Sequence, residues 1–109
     1  MPRTVEDNPE LSRYELRVEG ELVGWSDYRP AGASVIVAHT EIDARREGEG
    51  LGSELVRGTL DHIRASGKTV IPTCPFTAAY IHRHPEYIGL VDTGLRGMFG
   101  APPSPTASS

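Results

Sequence analysis

Apolar and polar residues alternate over Arg13–Val18, with Tyr14, Leu16 and Val18 on one side and Arg13, Glu15 and Arg17 on the other. A period of two predicts a half-buried strand. Glu19-Gly20-Glu21 predicts a turn, with Gly20 free to take a positive φ. Residues 22–28 predict a second strand, and Pro30 and Gly32 break the pattern over 29–33. Ser34–Ile42 opens on the β-branched run Val35-Ile36-Val37 and predicts a third strand. Three strands on short connections predict an antiparallel meander.

The pattern then changes. Residues 43–52 are charged and glycine-rich. Leu51, Leu55, Val56, Leu60 and Ile63 follow at helical spacing and stop at Ser66-Gly67. Residues 68–71 form a short apolar stretch cut by Pro72, which predicts a strand. A helix joining two strands is a crossover, so this strand is expected parallel to the third. Residues 75–84 predict a second helix, with Pro75 tolerated in its first turn and Pro85 ending it. Leu90-Val91 is expected to add a last apolar contact. The order β-β-β-α-β-α predicts an α+β, or mixed α/β, domain of two layers. Residues 13–93 are expected to carry the fold. Residues 1–12 lack periodicity and are expected to be disordered, and 94–109, ending GAPPSPTASS, is expected to be a flexible Pro/Ser-rich tail. Trp25 and the Leu/Val strand positions are expected in the core.

A net charge of −4 argues against nucleic acid or an anionic membrane as partner. No apolar run approaches the roughly 18 residues that a membrane helix needs. The acidic first ten residues lack a signal-peptide profile, so a cytoplasmic protein is expected. The single cysteine, Cys74, excludes an internal disulfide and any zinc site built on a cysteine pair. His82 and His84, two apart on a helix, point to different faces, and no metal is expected.

The loop Glu47-Gly48-Glu49-Gly50-Leu51-Gly52-Ser53-Glu54-Leu55 joins strand to helix. Glycines there let backbone approach a ligand, and the free first-turn amides and helix dipole favour an anion such as a pyrophosphate. The alternative is a tight turn shaped by glycines. No Gly-Lys-Ser/Thr follows, so the loop is not that of a P-loop NTPase. Ser53 stands where the third glycine of a dinucleotide fingerprint would fall.

The glycine run resembles the acyl-CoA loop of the GNAT N-acetyltransferase superfamily, Gln/Arg-x-x-Gly-x-Gly/Ala. Arg45-x-x-Gly48-x-Gly50 matches it literally. In a second register Gly50-x-Gly52 closes the pattern, Glu47 takes the Gln/Arg place, and Arg45 or Arg46 supplies the positive charge. His39-Thr40, Val70-Ile71-Pro72-Thr73-Cys74-Pro75-Phe76, Tyr80-Ile81-His82-Arg83-His84-Pro85-Glu86-Tyr87 and Leu90-Val91 are similar to the small stand-alone branch of that superfamily, over residues 13–91. The resemblance implies a minimal GNAT-like fold and a site for acetyl-CoA as co-substrate. Pantetheine would lie along the third strand at Glu41 and Ile42. The pyrophosphate would sit over Gly48, Glu49, Gly50, Leu51, Gly52 and Ser53, with the acetyl thioester pointing to Cys74. The larger members build their acceptor groove from helices and strands this chain is too short to supply, so the amine acceptor is unspecified, and monomer and dimer are both open.

Acetyl transfer to an amine needs a neutral nucleophile, a positioned thioester, oxyanion stabilisation and a proton for the leaving thiolate. His39, at a strand end, is either the general base or a cap on strand-end backbone. Cys74, ahead of a helix, takes the acetyl group covalently, or lines the thioester pocket, or is a small buried hydrophobe. Tyr80 either protonates the CoA thiolate, as a tyrosine on the equivalent helix does in relatives, or packs helix on sheet. Arg83 and His84 either contact CoA phosphates or form a solvated basic turn. The function expected is N-acetyl transfer from acetyl-CoA to an amine. The alternative is a non-catalytic CoA-binding or protein-interaction module.

Overall fold

The computed structural model describes residues 3–46 and 48–99. Seven regular elements follow in order: β1 (Arg3–Asn8), β2 (Arg13–Val18), β3 (Glu21–Ala31), β4 (Ser34–Ile42), α1 (Leu51–Ala65), β5 (Thr69–Pro72) and α2 (Pro75–Arg83). Short 3-10 turns cover Ala44–Arg46, Pro85–Leu90 and Thr93–Phe99. The strands form one sheet in sequence order, antiparallel from β1 to β4 and parallel between β4 and β5. The mixed α+β class and the parallel crossover therefore match the expectation. No helix among the described residues is long and apolar enough to cross a membrane.

Both helices pack on one face of the sheet. Val56, Leu60 and Ile63 of α1 and Tyr80 and Ile81 of α2 share one core cluster with Tyr14, Val35, Val37 and Val70 of the strands. Leu51 and Leu55 close a second cluster with Leu16, Val18 and Val23. Val91, fully buried, forms a parallel bridge with Val70.

Four expectations need correction. Residues 3–8 are a strand, not a loose segment: β1 pairs with β2 along its whole length. Its only apolar residue is Val5, so it has no amphipathic signature. Side-chain bonds hold it instead, from Arg3 to Glu54 (2.7 Å), from Tyr28 to Asp7 (2.7 Å) and from Asn8 to Glu15 (3.1 Å). Residues 94–99, expected in the tail, belong to the Thr93–Phe99 turn, which packs Leu95 on the core and ties Arg96 to the Val91 and Gly89 carbonyls. Residues 100–109, with Met1 and Pro2, lie outside the described residues. The second strand is not broken at Pro30, which pairs with Val35 close to the strand's end, where a missing N–H is tolerated. Trp25 is only half-buried. It lies on the sheet face away from the helices, between Glu15 and Glu41 and beneath the Arg13 guanidinium, 4.9 Å from the ring centre.

One irregularity positions the site. Tyr28 pairs with Val37 but Asp27 pairs with His39, so Ala38 is an extra residue in β4. Such a bulge reverses which residues face the core. Val35 and Val37 point under the helices, and beyond the bulge Thr40 and Ile42 do so, while His39 and Glu41 turn to the open face.

Candidate active site

β4 and β5 separate where the parallel pairing ends, at Val37 and Pro72. Pro72 has no N–H to continue the ladder. The chain crosses the apex of the gap through Cys74, whose amide donates to the Val37 carbonyl (3.0 Å), and through the Thr73 hydroxyl, which donates to the same oxygen (3.2 Å). Past this point β4 is paired to β3 alone, and its other edge is open.

That edge meets the start of α1 in a cavity of about 440 Å³, lined by Thr40, Glu41, Ile42, Arg46, Gly48, Gly50, Leu51, Gly52, Ser53 and Phe76. The N-cap of α1 is Gly50, with φ 74°, and no side chain caps the helix. The first helical bond runs from the Glu54 amide to the Gly50 carbonyl. The amides of Leu51, Gly52 and Ser53 therefore face the cavity end without intrahelical partners. Arg46 is the cation at this end, held between Glu49 (3.1 Å) and Glu21 (3.4 Å). The Phe76 ring covers Gly52 so closely that a Cβ there would lie 2.7 Å from Cζ.

Eight residues expected at the cofactor thus line one cavity: Glu41, Ile42, Arg46, Gly48, Gly50, Leu51, Gly52 and Ser53. Arg45 does not. It folds back on Asp43, whose carboxyl its side chain and amide hold down at about 2. Glu49 is bound to Arg46 and is absent from the lining. Glu47 lies outside the described residues. His84 caps the C-terminal end of α2 and stacks on Tyr80, ring centres 4.0 Å apart. Both line a separate depression of about 260 Å³ with Ser53, Glu54 and Arg57. Tyr80 is buried between His84 and Tyr87 and does not reach the larger cavity. Arg83 is exposed on the last turn of α2 and lines neither space.

Cys74 is buried behind Thr40 and Phe76. Its sulfur lies 3.5 Å from the Thr40 hydroxyl, which also meets the Ser26 hydroxyl (3.2 Å). Burial pushes the thiol up. The Thr40 hydroxyl, the Thr77 amide and hydroxyl and the Phe76 amide outweigh it and hold the thiol below its ordinary value. His39 is exposed, with Nε2 2.9 Å from Glu41. That hydrogen bond raises its pKa, and the charges of Glu41, Asp27 and Cys74 add to the effect. The bulge at Ala38 is what places His39 across β4 from the cavity. Thr40 and Phe76 are the lining residues sequence reasoning did not assign. Both sit inside the motifs already singled out, next to His39 and Cys74.

A family model described as GCN5-related N-acetyl-transferase matches residues 13–90. The chain belongs to that family. Solved structures agree on the fold. A GCN5-like protein from Staphylococcus aureus, 17% identical, aligns with a TM-score of 0.61 over 81% of this chain and 86% of its own. Ard1 from Thermoplasma volcanium, 24% identical, aligns with a TM-score of 0.51 over 61% of this chain. The chain spans 45% of the length of that Ard1. No curated protein matches the chain. In this GCN5-related chain the splayed strand pair, the uncapped helix start and the cysteine lie within one continuous stretch of surface and underlying core.

Proposed function

We propose that the protein transfers an acetyl group from acetyl-CoA to an amine. The observation that carries this reading is the junction of an unpaired strand edge, free helix amides and a cation in one cavity, with a thiol behind its far wall. These residues fit the co-substrate. The β4 edge at Glu41 and Ile42 offers backbone groups to the amides of pantetheine. The Leu51, Gly52 and Ser53 amides and Arg46 offer donors to its pyrophosphate. Ile42, Leu51 and Phe76 supply apolar contact. When bound, acetyl-CoA supplies an activated thioester. The acceptor amine approaches from the open face, where His39, held by Glu41, takes its proton.

Thermal denaturation with CoA, ATP and NAD tests the binding half. CoA alone is expected to stabilise, by about 2.7 kcal/mol at a hundredfold excess over its Kd. Consumption of acetyl-CoA in the presence of amines tests the catalytic half. Stabilisation without consumption by any amine would make the protein a CoA-binding module, and no stabilisation would remove the assignment altogether.

A further inference from the structure

Two spaces meet at the first turn of α1. Ser53 lines the larger cavity and also the depression of about 260 Å³ that it forms with Glu54, Arg57, Tyr80 and His84. Pantetheine and pyrophosphate occupy the first and leave the second unused. Arg57 supplies an unpaired cation there. On a helix its carboxylate neighbours are Glu54, three residues before it, and Asp61, four residues after. Both are engaged elsewhere. Glu54 accepts from Arg3 (2.7 Å), and Asp61 accepts from the Tyr87 hydroxyl (3.0 Å) and lies 3.8 Å from Arg64. No carboxylate pairs with Arg57 among the described residues. Tyr80 is a second, independent sign. It is only 4% exposed and lines the depression. Its hydroxyl has no hydrogen-bond partner among the described residues, and unlike the Thr59 and Thr77 hydroxyls it is not sealed in the core. Native folds rarely leave so buried a polar side chain without a partner. Burial raises the phenol's pKa, and the Arg57 charge opposes the rise, so the two groups share one field.

We propose that Arg57 and the Tyr80 hydroxyl bind the 3′-phosphate of CoA, so that the depression selects CoA over its dephosphorylated form. The proposal rests on the larger cavity being the acetyl-CoA site. Arg57 lies four residues beyond Ser53, about 6 Å along the helix axis. A ribose carries its 5′ and 3′ oxygens on opposite sides, so a diphosphate on the first-turn amides puts a 3′-phosphate within one helical turn of them. The guanidinium fork takes two phosphate oxygens, and the phenol donates to a phosphate oxygen as well. Glu54 is the one anion in the lining, and Arg3 already meets its charge. His84 braces the phenol: its ring stacks on that of Tyr80, and its Nδ1 donates to the Tyr80 carbonyl (3.1 Å).

Calorimetry of the full chain with CoA and with dephospho-CoA tests the site without any substitution. The parent protein should bind CoA about tenfold more tightly, the effect of a hydrogen bond to a charged group. The gap should narrow as salt is raised, because the site opens to solvent. Arg57 is exposed, so its replacement leaves the core intact. Arg57→Gln should bring CoA down to the level of dephospho-CoA and leave dephospho-CoA where it was. Arg57→Lys should keep part of the preference, having the charge without the fork. Tyr80→Phe, which retains the ring, should lose part of it. Equal affinity of the parent protein for the two ligands overturns the 3′-phosphate site and leaves the acetyl-CoA reading standing. So does an Arg57→Gln variant that weakens both ligands alike. Binding of neither ligand by the parent protein overturns the proposed function, and the 3′-phosphate site with it.

Discussion

Gly52 is where a single carbon would be felt most directly at the cavity. A Cβ there would stand 2.7 Å from Cζ and 3.2 Å from Cε1 of Phe76, a ring that is 43% exposed and free to turn outward. Gly52→Ala should therefore cost little stability, since alanine gains up to about 1 kcal/mol in helix propensity over glycine. The displaced ring should weaken CoA binding about tenfold, measured by calorimetry beside a melting curve. Unchanged affinity would show that the ring does not shape the cavity. His39 makes a second prediction. As a base it must be neutral, and its bond to Glu41 favours the charged form. Acetyl transfer should thus rise with pH through a midpoint above that of an ordinary histidine. Glu41→Gln should shift that limb to lower pH, and His39→Gln should abolish it. A limb that ignores both substitutions would remove His39 from the reaction.

At the scale of elements, α1 was legible because five apolar residues at helical spacing must share one face, and all five are buried in the two core clusters. The glycine loop was legible as a strand-to-helix junction for the same reason. The β4 bulge was not. Val35 and Val37 point inward, and continuing their period of two places His39 inward as well. The extra residue at Ala38 hands that place to Thr40, and nothing in the local sequence marks the shift. β1 was illegible for a different cause: its stability is supplied by partners far along the chain rather than by its own pattern. Val5 packs against Gly58 of α1 so tightly that a Cβ at Gly58 would overlap the valine side chain. Both atoms belong to packed elements, so the contact cannot be relieved by a swinging side chain. Gly58→Ala should therefore destabilise by about 1–3 kcal/mol, an overpacking cost. Amide exchange should rise over Arg3–Asn8, with CoA affinity kept, since neither Val5 nor Gly58 lines the larger cavity. Faster exchange spread evenly over the sheet would mean that β1 is not a separate unit.

Over the whole molecule, three phenols tie the pieces together. The Tyr14 ring of β2 packs at a tilt against that of Tyr28 of β3, ring centres 4.6 Å apart, and Tyr28 donates to Asp7 of β1. Tyr87, in the turn after α2, donates to Asp61 of α1 (3.0 Å). Burial, then the nearby Asp7 charge, pushes Tyr14 up to about 12. Burial, then the bond to Asp61, pushes Tyr87 up to about 12. Burial and the bond to Asp7 raise Tyr28 as well. An unfolded tyrosine ionises near pH 10. Between about pH 10 and 12 the folded chain therefore holds protons that the unfolded chain has lost. Stability is fully present below that window and falls as pH rises through it. Near pH 11 the loss should be about 1 kcal/mol for each of Tyr14 and Tyr87. Denaturant midpoints taken across the window should decline, and Tyr87→Phe should decline less steeply because its ring has no proton to lose. Parallel slopes for parent and variant would show that the Tyr87–Asp61 link does not hold the C-terminal turn to α1, and with it the position of α2 behind the cavity.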